Sequence, residues 1–325
     1  MAPMKDPRRV TGFFARSLPV WWILFALAVS SLAWPALAQL MLRRHTAASS
    51  NGLELLPASM LPKTANQVSE SSGARWRTIR ANGVPDHAVG TFPNAGNPNR
   101  LSAQSYRFRV PMEPRLAADV TPLSGPTSFG VAVNGVPFDP GAAEFFLGDR
   151  SSGWQYEALA GAVPLGIDAN HAHVQPTGAY HYHGLPTGLL DELDFVPGRH
   201  SPLVGWAADG FPIYALYGRL DGESGVRELL PSYRLRQGQR PAGEGQPGGV
   251  FDGTFVADYE YVDGAGDLDE CNGLWTVTPE FPDGTYAYFL TADWPVVPRC
   301  FRGTPSPDFR KARGLGHQGR RTGRG

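Results

Sequence analysis

The chain is organised around one stretch, His171-Ala-His-Val-Gln-Pro-Thr-Gly-Ala-Tyr-His-Tyr-His183, which holds four of its eight histidines. They form two His-x-His pairs, and side chains at i and i+2 of a β-strand point to the same face. Between the pairs, Pro176 fixes φ and Gly178 permits a positive φ, so the segment can turn. We therefore predict a β-hairpin on which four imidazoles converge. The four residues are His171, His173, His181 and His183.

Converging imidazoles suit a transition metal, because neutral imidazole binds zinc, copper, iron and nickel. For an all-nitrogen site in an exported protein we predict copper or zinc. Three ligands, from His173, His181 and His183, would leave one position open for water or substrate, as in catalytic zinc sites. Four ligands would favour structure, storage or copper handling. The alternative is that the imidazoles only hydrogen-bond within a tight turn.

Further candidates for the same site come from outside the stretch. Histidine ligands usually donate their second ring N–H to a carboxylate or a carbonyl. The carboxylates considered for this role are Asp168, Asp209 and Glu270. His87 follows an aspartate in a predicted turn and could complete the site from elsewhere in the fold.

An acidic, glycine-rich segment offers a second cation site. Its carboxylates at Asp263, Asp267 and Asp269, together with Glu270, are the oxygen ligands that calcium takes. Their spacing does not follow the EF-hand loop, and a solvated acidic turn explains the same residues. The sequence contains no G-x-S-x-G, Walker or dinucleotide-binding motif, so it identifies no nucleophile and no nucleotide site.

An internal comparison separates the histidines from their surroundings. Pro176-Thr-Gly-Ala-Tyr-His-Tyr182 has a counterpart in Pro282-Asp-Gly-Thr-Tyr-Ala-Tyr288, and both follow the pattern P-x-G-x-Y-x-Y. The pattern predicts a turn that leads into a strand with two half-buried tyrosines on one face. The second copy has Ala287 and Phe289 where the first has histidines. The turn and the strand therefore do not require histidine.

Composition indicates a mainly β protein. Glycine (39) and proline (30) are plentiful, the hydrophobic fraction of 42% is ample for a core, and long helical periodicity is absent from the sequence. Residues 104–110 alternate with period two, which is typical of a strand. The segment from Phe129 to Phe138 contains Asn134-Gly135 between apolar flanks and predicts a hairpin. We expect a single domain of short antiparallel strands, sandwich or barrel-like, with long loops and little helix.

The order of segments predicts an exported protein. Residues 1–43 combine basic residues, an uncharged apolar run and Ala36-Leu-Ala38, which fits either a cleaved signal peptide or an N-terminal membrane anchor. Residues 44–74 are predicted to be a linker, 75–303 the β domain, and 304–325 a disordered basic tail. We expect the chain to work in the bacterial periplasm or cell envelope, with membrane contact only through its N-terminal segment.

Charge and cysteine content agree with that location. Residues 45–301 hold 16 Lys and Arg against 28 Asp and Glu, a net charge of −12, which does not suit nucleic acid. The two cysteines, Cys271 and Cys300, are predicted to form a disulfide in an oxidising compartment. The alternative is that both thiolates bind a metal. Protein partners are not indicated by the sequence.

The histidine motif also resembles a known family. Ala172-His-Val-Gln-Pro-Thr-Gly-Ala-Tyr-His-Tyr-His-Gly184 is similar to the signature of the YHYH-domain proteins. The resemblance extends from about Ile79 to Gly303 and includes the segments 83–90, 209–214 and 297–303. It implies an exported domain with His173, His181 and His183 at the motif's histidine positions. His171 lies outside the core of that pattern, and the family supplies no reaction.

Three hypotheses for function follow. The first is a metal-binding protein that takes part in the handling of copper or another metal. The second is a metal-dependent hydrolase or oxidoreductase with an open coordination position, in which a metal-bound water of lowered pKa is the reagent. The third is a non-catalytic structural module of the envelope, in which the histidines are only polar packing.

Overall fold

The structure is built mainly from short strands, as predicted. It is a computed structural model that describes residues 53–310 apart from residue 221. The strands are β1 (Val68–Ser72), β2 (Trp76–Ala81), β3 (Tyr106–Pro111), β4 (Thr121–Pro122), β5 (Gly130–Ala132), β6 (Pro137–Phe138), β7 (Gly141–Phe145), β8 (Gln155–Glu157), β9 (Ala172–Val174), β10 (Tyr180–Tyr182), β11 (Gly205–Ala207), β12 (Pro212–Ala215), β13 (Tyr217–Gly218), β14 (Arg227–Glu228), β15 (Tyr233–Leu235), β16 (Ala242–Gly243), β17 (Gln246–Pro247), β18 (Tyr259–Tyr261), β19 (Gly273–Thr276), β20 (Thr285–Leu290) and β21 (Cys300–Phe301).

Helical structure is scarce. The described residues contain one short α-helix, α1 (Thr187–Glu192), and four 3₁₀ helices at Phe146–Gly148, Arg150–Ser152, Val256–Asp258 and Pro307–Phe309. Within the part of the chain that the structure describes, no helix has the length and apolar character needed to cross a bilayer. The predicted signal or anchor at residues 1–43 lies outside the described residues.

The main sheet has eight strands in the order β19-β20-β12-β11-β5-β6-β10-β9. A three-stranded sheet, β1-β2-β3, and five two-stranded pairs surround it. The predicted antiparallel arrangement holds for most pairs, but β6 pairs with β10 and β12 pairs with β20 in parallel, so the sheet is mixed. Among the described residues the strands form no closed barrel.

The main sheet repeats one unit on either side of its centre. In each unit an antiparallel hairpin (β5–β6 or β11–β12) lies parallel to the next strand (β10 or β20), which pairs in turn with an antiparallel edge strand (β9 or β19). The central pair has symmetric register, with Gly130 opposite Ala207 and Ala132 opposite Gly205. We conclude that a local two-fold axis passes between β5 and β11.

The sequence carries a trace of this repeat. Residues 130–138 read G-V-A-V-N-G-V-P-F and residues 205–213 read G-W-A-A-D-G-F-P-I, so glycine, alanine and proline recur at a constant offset. Both first glycines lie where the central strands approach closely. A Cβ on Gly130 would lie 2.5 Å from the carbonyl oxygen of Trp206, and one on Gly205 would lie 2.4 Å from that of Val131. The close approach of β5 and β11 at the axis therefore requires glycine at both positions.

The two edge hairpins also begin in the same way. The Asp168 carboxylate accepts hydrogen bonds from the N–H groups two and four residues ahead, and the Asp269 carboxylate does the same. The residue three places after each aspartate has a positive φ, 53° at His171 and 57° at Asn272. This left-handed residue turns the chain into β9 or β19.

The four tyrosines of the repeated P-x-G-x-Y-x-Y pattern are architectural, as predicted. The hydroxyl of Tyr180 donates to Asp168 at 2.7 Å, and that of Tyr286 lies 3.0 Å from both oxygens of Asp269. All four are buried in the core. On β10 they lie on the face opposite His181, and on β20 on the face opposite Ala287. Their hydroxyls need buried partners. Aspartates supply them for Tyr180, Tyr286 and Tyr288, whereas the hydroxyl of Tyr182 contacts His87 and accepts from Asn134.

Regular structure continues on both sides of residues 75–303. Residues 68–72, within the predicted linker, form β1 and pair along their whole length with β2. At the other end, Phe309 lies within the predicted tail but is 1% exposed and stacks on Phe108. Backbone pairing holds β1 and apolar packing holds Phe309, and composition alone reveals neither contact. Residues 311–325 lie outside the described part.

Candidate metal centre

Three of the four predicted histidines converge on one face of the β9–β10 hairpin. His173 on β9 lies directly opposite His181 on β10. His183 follows β10 at i+2 from His181, so strand alternation directs both side chains to the same face. The N–H of His183 donates to the carbonyl of His171 at 2.7 Å, which continues the pairing past the end of the strand.

The three rings form a nearly equilateral cluster. The ring centroids of His173 and His181 are 4.7 Å apart, and His183 lies 4.6 Å from each of them. One ring nitrogen from each residue can be chosen so that all three lie within 4.8 Å of one another. His181 and His183 are buried, at 3% and 1% exposure, whereas His173 is partly exposed. The cluster therefore reaches solvent on the His173 side.

Hydrogen bonding leaves nitrogen lone pairs directed into the cluster. The Nδ1 atom of His173 lies 2.9 Å from the carbonyl oxygen of Leu165. A carbonyl can only accept, so Nδ1 carries the proton and Nε2 carries the lone pair. The carbonyl oxygen of Ala179 makes a longer contact of the same kind, 3.3 Å from Nδ1 of His181. Among the described residues, neither ring nitrogen of His183 makes a hydrogen bond of good geometry, although the backbone of Pro140 is close enough to act on its pKa.

The environment keeps all three rings uncharged. Burial lowers the pKa of His173 below its ordinary value, although the Leu165 carbonyl and Glu144 act in the opposite direction. The pKa of His181 lies well below its usual range, first because of burial and then because of the neighbouring His173. Burial and the other two imidazoles lower the pKa of His183 in the same way. Neutral imidazole is the form that binds metals.

This arrangement could hold a metal ion. Ligand atoms at about 2.1 Å from a tetrahedral ion are about 3.4 Å apart, so small ring rotations would close the cluster around one. The carbonyl of Leu165 supplies the outer hydrogen bond that metal-binding histidines usually make. Each uncharged ring offers a nitrogen that could bind an ion, whereas a packing role alone would leave the His183 nitrogens without well-formed hydrogen bonds.

The equivalent positions in the other half of the sheet are apolar. Leu274 is the cross-strand partner of Ala287, as His173 is of His181, and Phe289 stands at the place of His183. Ala287 and Phe289 pack with Tyr214 in a small buried cluster. The same backbone is thus stable with an apolar filling, so the fold does not require the histidines.

His171 and His87 lie outside the cluster. The ring of His171 is directed elsewhere, with Nδ1 2.8 Å from the Leu185 carbonyl, because its positive φ breaks the strand alternation. The predicted same-face pairing of His171 with His173 is therefore wrong. His87 is buried against the tyrosine face, with Nε2 2.6 Å from the hydroxyl of Tyr182. It supports the hairpin from behind.

The three carboxylates considered as supports serve other groups. Asp168 accepts from Tyr180, and Asp209 accepts from the hydroxyl of Tyr288 at 2.5 Å and from the N–H of Gly303. Burial raises the pKa of Asp209 to about 6. The carboxylate of Glu270 faces Arg302. The sequence could not distinguish these roles, because the tyrosines and the imidazoles alternate along one strand.

The predicted calcium ligands are also dispersed. Asp267 pairs with Arg227, and Asp263 accepts from the hydroxyl of Tyr261. Asp269 supports Tyr286 and the turn before β19. In the described part of the chain, the three histidines are the one group of His, Cys, Asp or Glu side chains with the spacing of a metal site. The cysteines are joined, as predicted, in the Cys271–Cys300 disulfide, so they are not thiolate ligands.

Two features near the histidines were not predicted from the sequence. Asp139 follows β6 and brings Oδ2 to 3.9 Å from Nε2 of His181. Glu157 is buried and accepts from Arg299 and from the indole N–H of Trp294, while Arg299 also donates to the carbonyl of Pro140. Aligning the two halves of the main sheet would have placed Asp139 beside the histidine strand. Glu157 and Arg299 are 142 residues apart, so no local sequence pattern predicts their ion pair.

Comparison with known proteins gives a family. A family model described as "YHYH protein" matches residues 107–303, which contain the whole hairpin. No curated protein and no solved structure matches the chain. Because the family match covers more than half of the sequence and includes all three clustered histidines, this protein belongs to the YHYH protein family.

Proposed function

We propose that this protein binds a transition-metal ion through His173, His181 and His183 and takes part in metal handling in the cell envelope. The observation that carries the proposal is the convergence of three uncharged imidazoles at positions that are apolar in the other half of the sheet. A buried imidazole without well-formed hydrogen bonds, such as that of His183, destabilises a fold unless it binds something. Copper and zinc are the ions that suit these ligands.

The compartment is part of the proposal. The buried Cys271–Cys300 disulfide is typical of oxidising surroundings and supports an extracellular or periplasmic location. We propose that residues 1–43 direct export, with or without cleavage. Cell fractionation and the intact mass of the mature protein test this point. A chain that is found in the cytoplasm with a reduced disulfide would contradict it.

The test of metal binding is elemental analysis of protein purified without a histidine tag. We expect about one equivalent of metal in the wild type and none in the variant His181→Ala/His183→Ala. The matched control is His200→Ala, which removes a partly buried imidazole outside the cluster and should leave the metal content unchanged. Equal metal content in wild type and double variant would refute the proposal and favour a purely structural module.

A metal-dependent hydrolase or oxidoreductase is the second candidate. It is favoured by the number of imidazoles, because three leave one position of a tetrahedral ion for water or substrate. The partial exposure of His173 gives that position a route to solvent. An exchangeable water ligand, detected by spectroscopy of the Co²⁺ form, would support an enzyme. A coordinatively saturated ion would support metal handling.

A further inference from the structure

We infer that Asp139 is the fourth protein ligand of this site, which makes it a closed set of three imidazole nitrogens and one carboxylate oxygen for a divalent ion such as Zn²⁺. The inference rests on the proposed metal binding and deepens it by naming the class of ion. It is carried by the placement of Asp139, by the contacts of its carboxylate and by a comparison of the two halves of the sheet.

The parallel pairing of β6 with β10 brings Asp139 to the histidines. Phe138 lies opposite Tyr182, and the N–H of Asp139 donates to the carbonyl of Tyr182 at 2.8 Å. The backbone of Asp139 is thereby fixed next to the segment between His181 and His183. Asp139 is 6% exposed, so its carboxylate is held inside the protein.

The carboxylate lies on the histidine side of that strand. Its Oδ2 atom is 3.9 Å from Nε2 of His181, a separation similar to those among the imidazoles themselves. Gln175, in the turn between β9 and β10, donates from Nε2 to the same oxygen at 3.1 Å. The three imidazoles alone meet the mutual spacing of 4.8 Å, so Asp139 joins them by rotating about its side-chain bonds when the ion binds.

The other half of the sheet shows that the hairpin does not need an acid here. Tyr214 occupies the position equivalent to Asp139, and its hydroxyl bonds with Thr278 and Glu280. Tyr214 packs with Phe289 in the apolar counterpart of the histidine cluster. At this position the half with the imidazoles therefore has a carboxylate, and the half without them has a tyrosine. That co-occurrence is expected if all four side chains bind one ion.

The donor set selects the ion. Three imidazoles and a carboxylate suit a divalent ion of borderline hardness such as Zn²⁺, whereas Cu⁺ prefers thiolate and thioether ligands. Four protein ligands fill a tetrahedral Zn²⁺ ion and leave no position for a substrate. The inference thus favours the handling or structural use of the ion over hydrolysis.

The test measures Zn²⁺ and Cu⁺ affinities by chelator competition in wild type, Asp139→Asn and Glu144→Gln. Glu144 raises the pKa of His173 through its charge but is not one of the proposed ligands. Glu144→Gln therefore removes one negative charge and no metal ligand. Loss of an outer partner costs about 10–100-fold in metal affinity, so the loss of a ligand in Asp139→Asn should cost at least as much for Zn²⁺. Glu144→Gln should retain wild-type affinity, and Cu⁺ affinity should not change in either variant.

Each outcome has a separate meaning. A wild type that binds neither Zn²⁺ nor Cu⁺ would refute the proposed function itself, and one that binds Cu⁺ but no Zn²⁺ would overturn only the inference about the ion. Zn²⁺ affinity that is the same in wild type and Asp139→Asn, or that falls equally in both amide variants, would overturn only the role of Asp139. If Asp139→Asn does not fold, Gln175→Ala decides, because it removes the donor that orients the carboxylate. We expect it to bind Zn²⁺ about tenfold more weakly, and unchanged affinity would overturn the inference.

Discussion

His181 occupies in one half of the main sheet the position that Ala287 occupies in the other half. The two residues lie on strands with equivalent pairing partners, β6 and β9 for β10 and β12 and β19 for β20. Each is flanked by two buried tyrosines on the opposite face. Apolar side chains on the equivalent face of β19–β20 thus replace the imidazoles on one face of the β9–β10 hairpin. Changes on that face should alter metal binding and leave the fold intact.

The first prediction concerns His183→Phe, which copies the residue at the equivalent position, Phe289. In the presence of a chelator, we expect the free energy of unfolding to rise by about 1–3 kcal/mol, because two buried nitrogens without hydrogen-bond partners are removed. Zn²⁺ binding should be lost. Denaturant unfolding with and without Zn²⁺ measures both effects. A metal-free variant less stable than wild type would show that the imidazole is part of the packing.

The second prediction is stabilisation by metal. An ion that binds only the folded chain adds about 2.7 kcal/mol at a free concentration 100 times its Kd. We expect the thermal midpoint of the wild type and of His200→Ala to rise with added Zn²⁺. The midpoint of His181→Ala should not rise. A similar rise in all three proteins would indicate binding outside the cluster.

The third prediction is acid destabilisation of the metal-free protein. Folding lowers the pKa of His173, His181 and His183, so the unfolded chain binds protons more readily than the folded chain. The contribution of these neutral rings to stability is complete above the unfolded pKa of about 6.5 and is lost as pH falls below it. The free energy of unfolding, measured in chelator, should therefore fall below that pH. In His181→Ala the free energy of unfolding should fall less steeply with pH. Identical slopes in the wild type and this variant would contradict the lowered histidine pKa values.

The fourth prediction concerns the Cys271–Cys300 disulfide. Its ends are 29 residues apart in sequence, and a cross-link of that length stabilises a fold by about 3–4 kcal/mol through the entropy of the unfolded chain. We expect Cys271→Ser/Cys300→Ser to lose stability of that order in denaturant unfolding. Zn²⁺ affinity of the folded variant should remain that of wild type. A large loss of affinity would show that the disulfide also positions the hairpin.

The fifth prediction is a pH-dependent cost of Tyr288→Phe. The Tyr288 hydroxyl lowers the pKa of Asp209, which burial raises to about 6. Because this folded pKa exceeds the unfolded value, Asp209 reduces stability increasingly as pH rises toward and through 6. Without the hydroxyl the folded pKa rises further. We expect the variant to lose about 1–3 kcal/mol at pH 8 and less at pH 5. Equal losses at both pH values would contradict ionisation of Asp209.

The sequence alone determined what depends on local geometry. Strand alternation places His181 and His183 on one face and the tyrosines on the other, and the Pro176–Gly178 turn folds β9 onto β10. The repeated P-x-G-x-Y-x-Y pattern showed that histidine was not needed there. The mainly β class and the single disulfide followed from composition and cysteine count. All of these features depend on residues a few positions apart or on a pairing with no competitor.

The tertiary structure alone decided which side chains share the site. The positive φ at His171 breaks the alternation and removes that ring from the cluster. Asp139 arrives through the parallel pairing of β6 with β10, and Asp168 and Asp209 are taken by tyrosines on the opposite face. Such contacts join strands far apart in sequence. The assembly of the two halves of the sheet around β5 and β11 fixes these contacts. Sequence reasoning could not find them, because pairing across the core leaves no periodic signal in the chain.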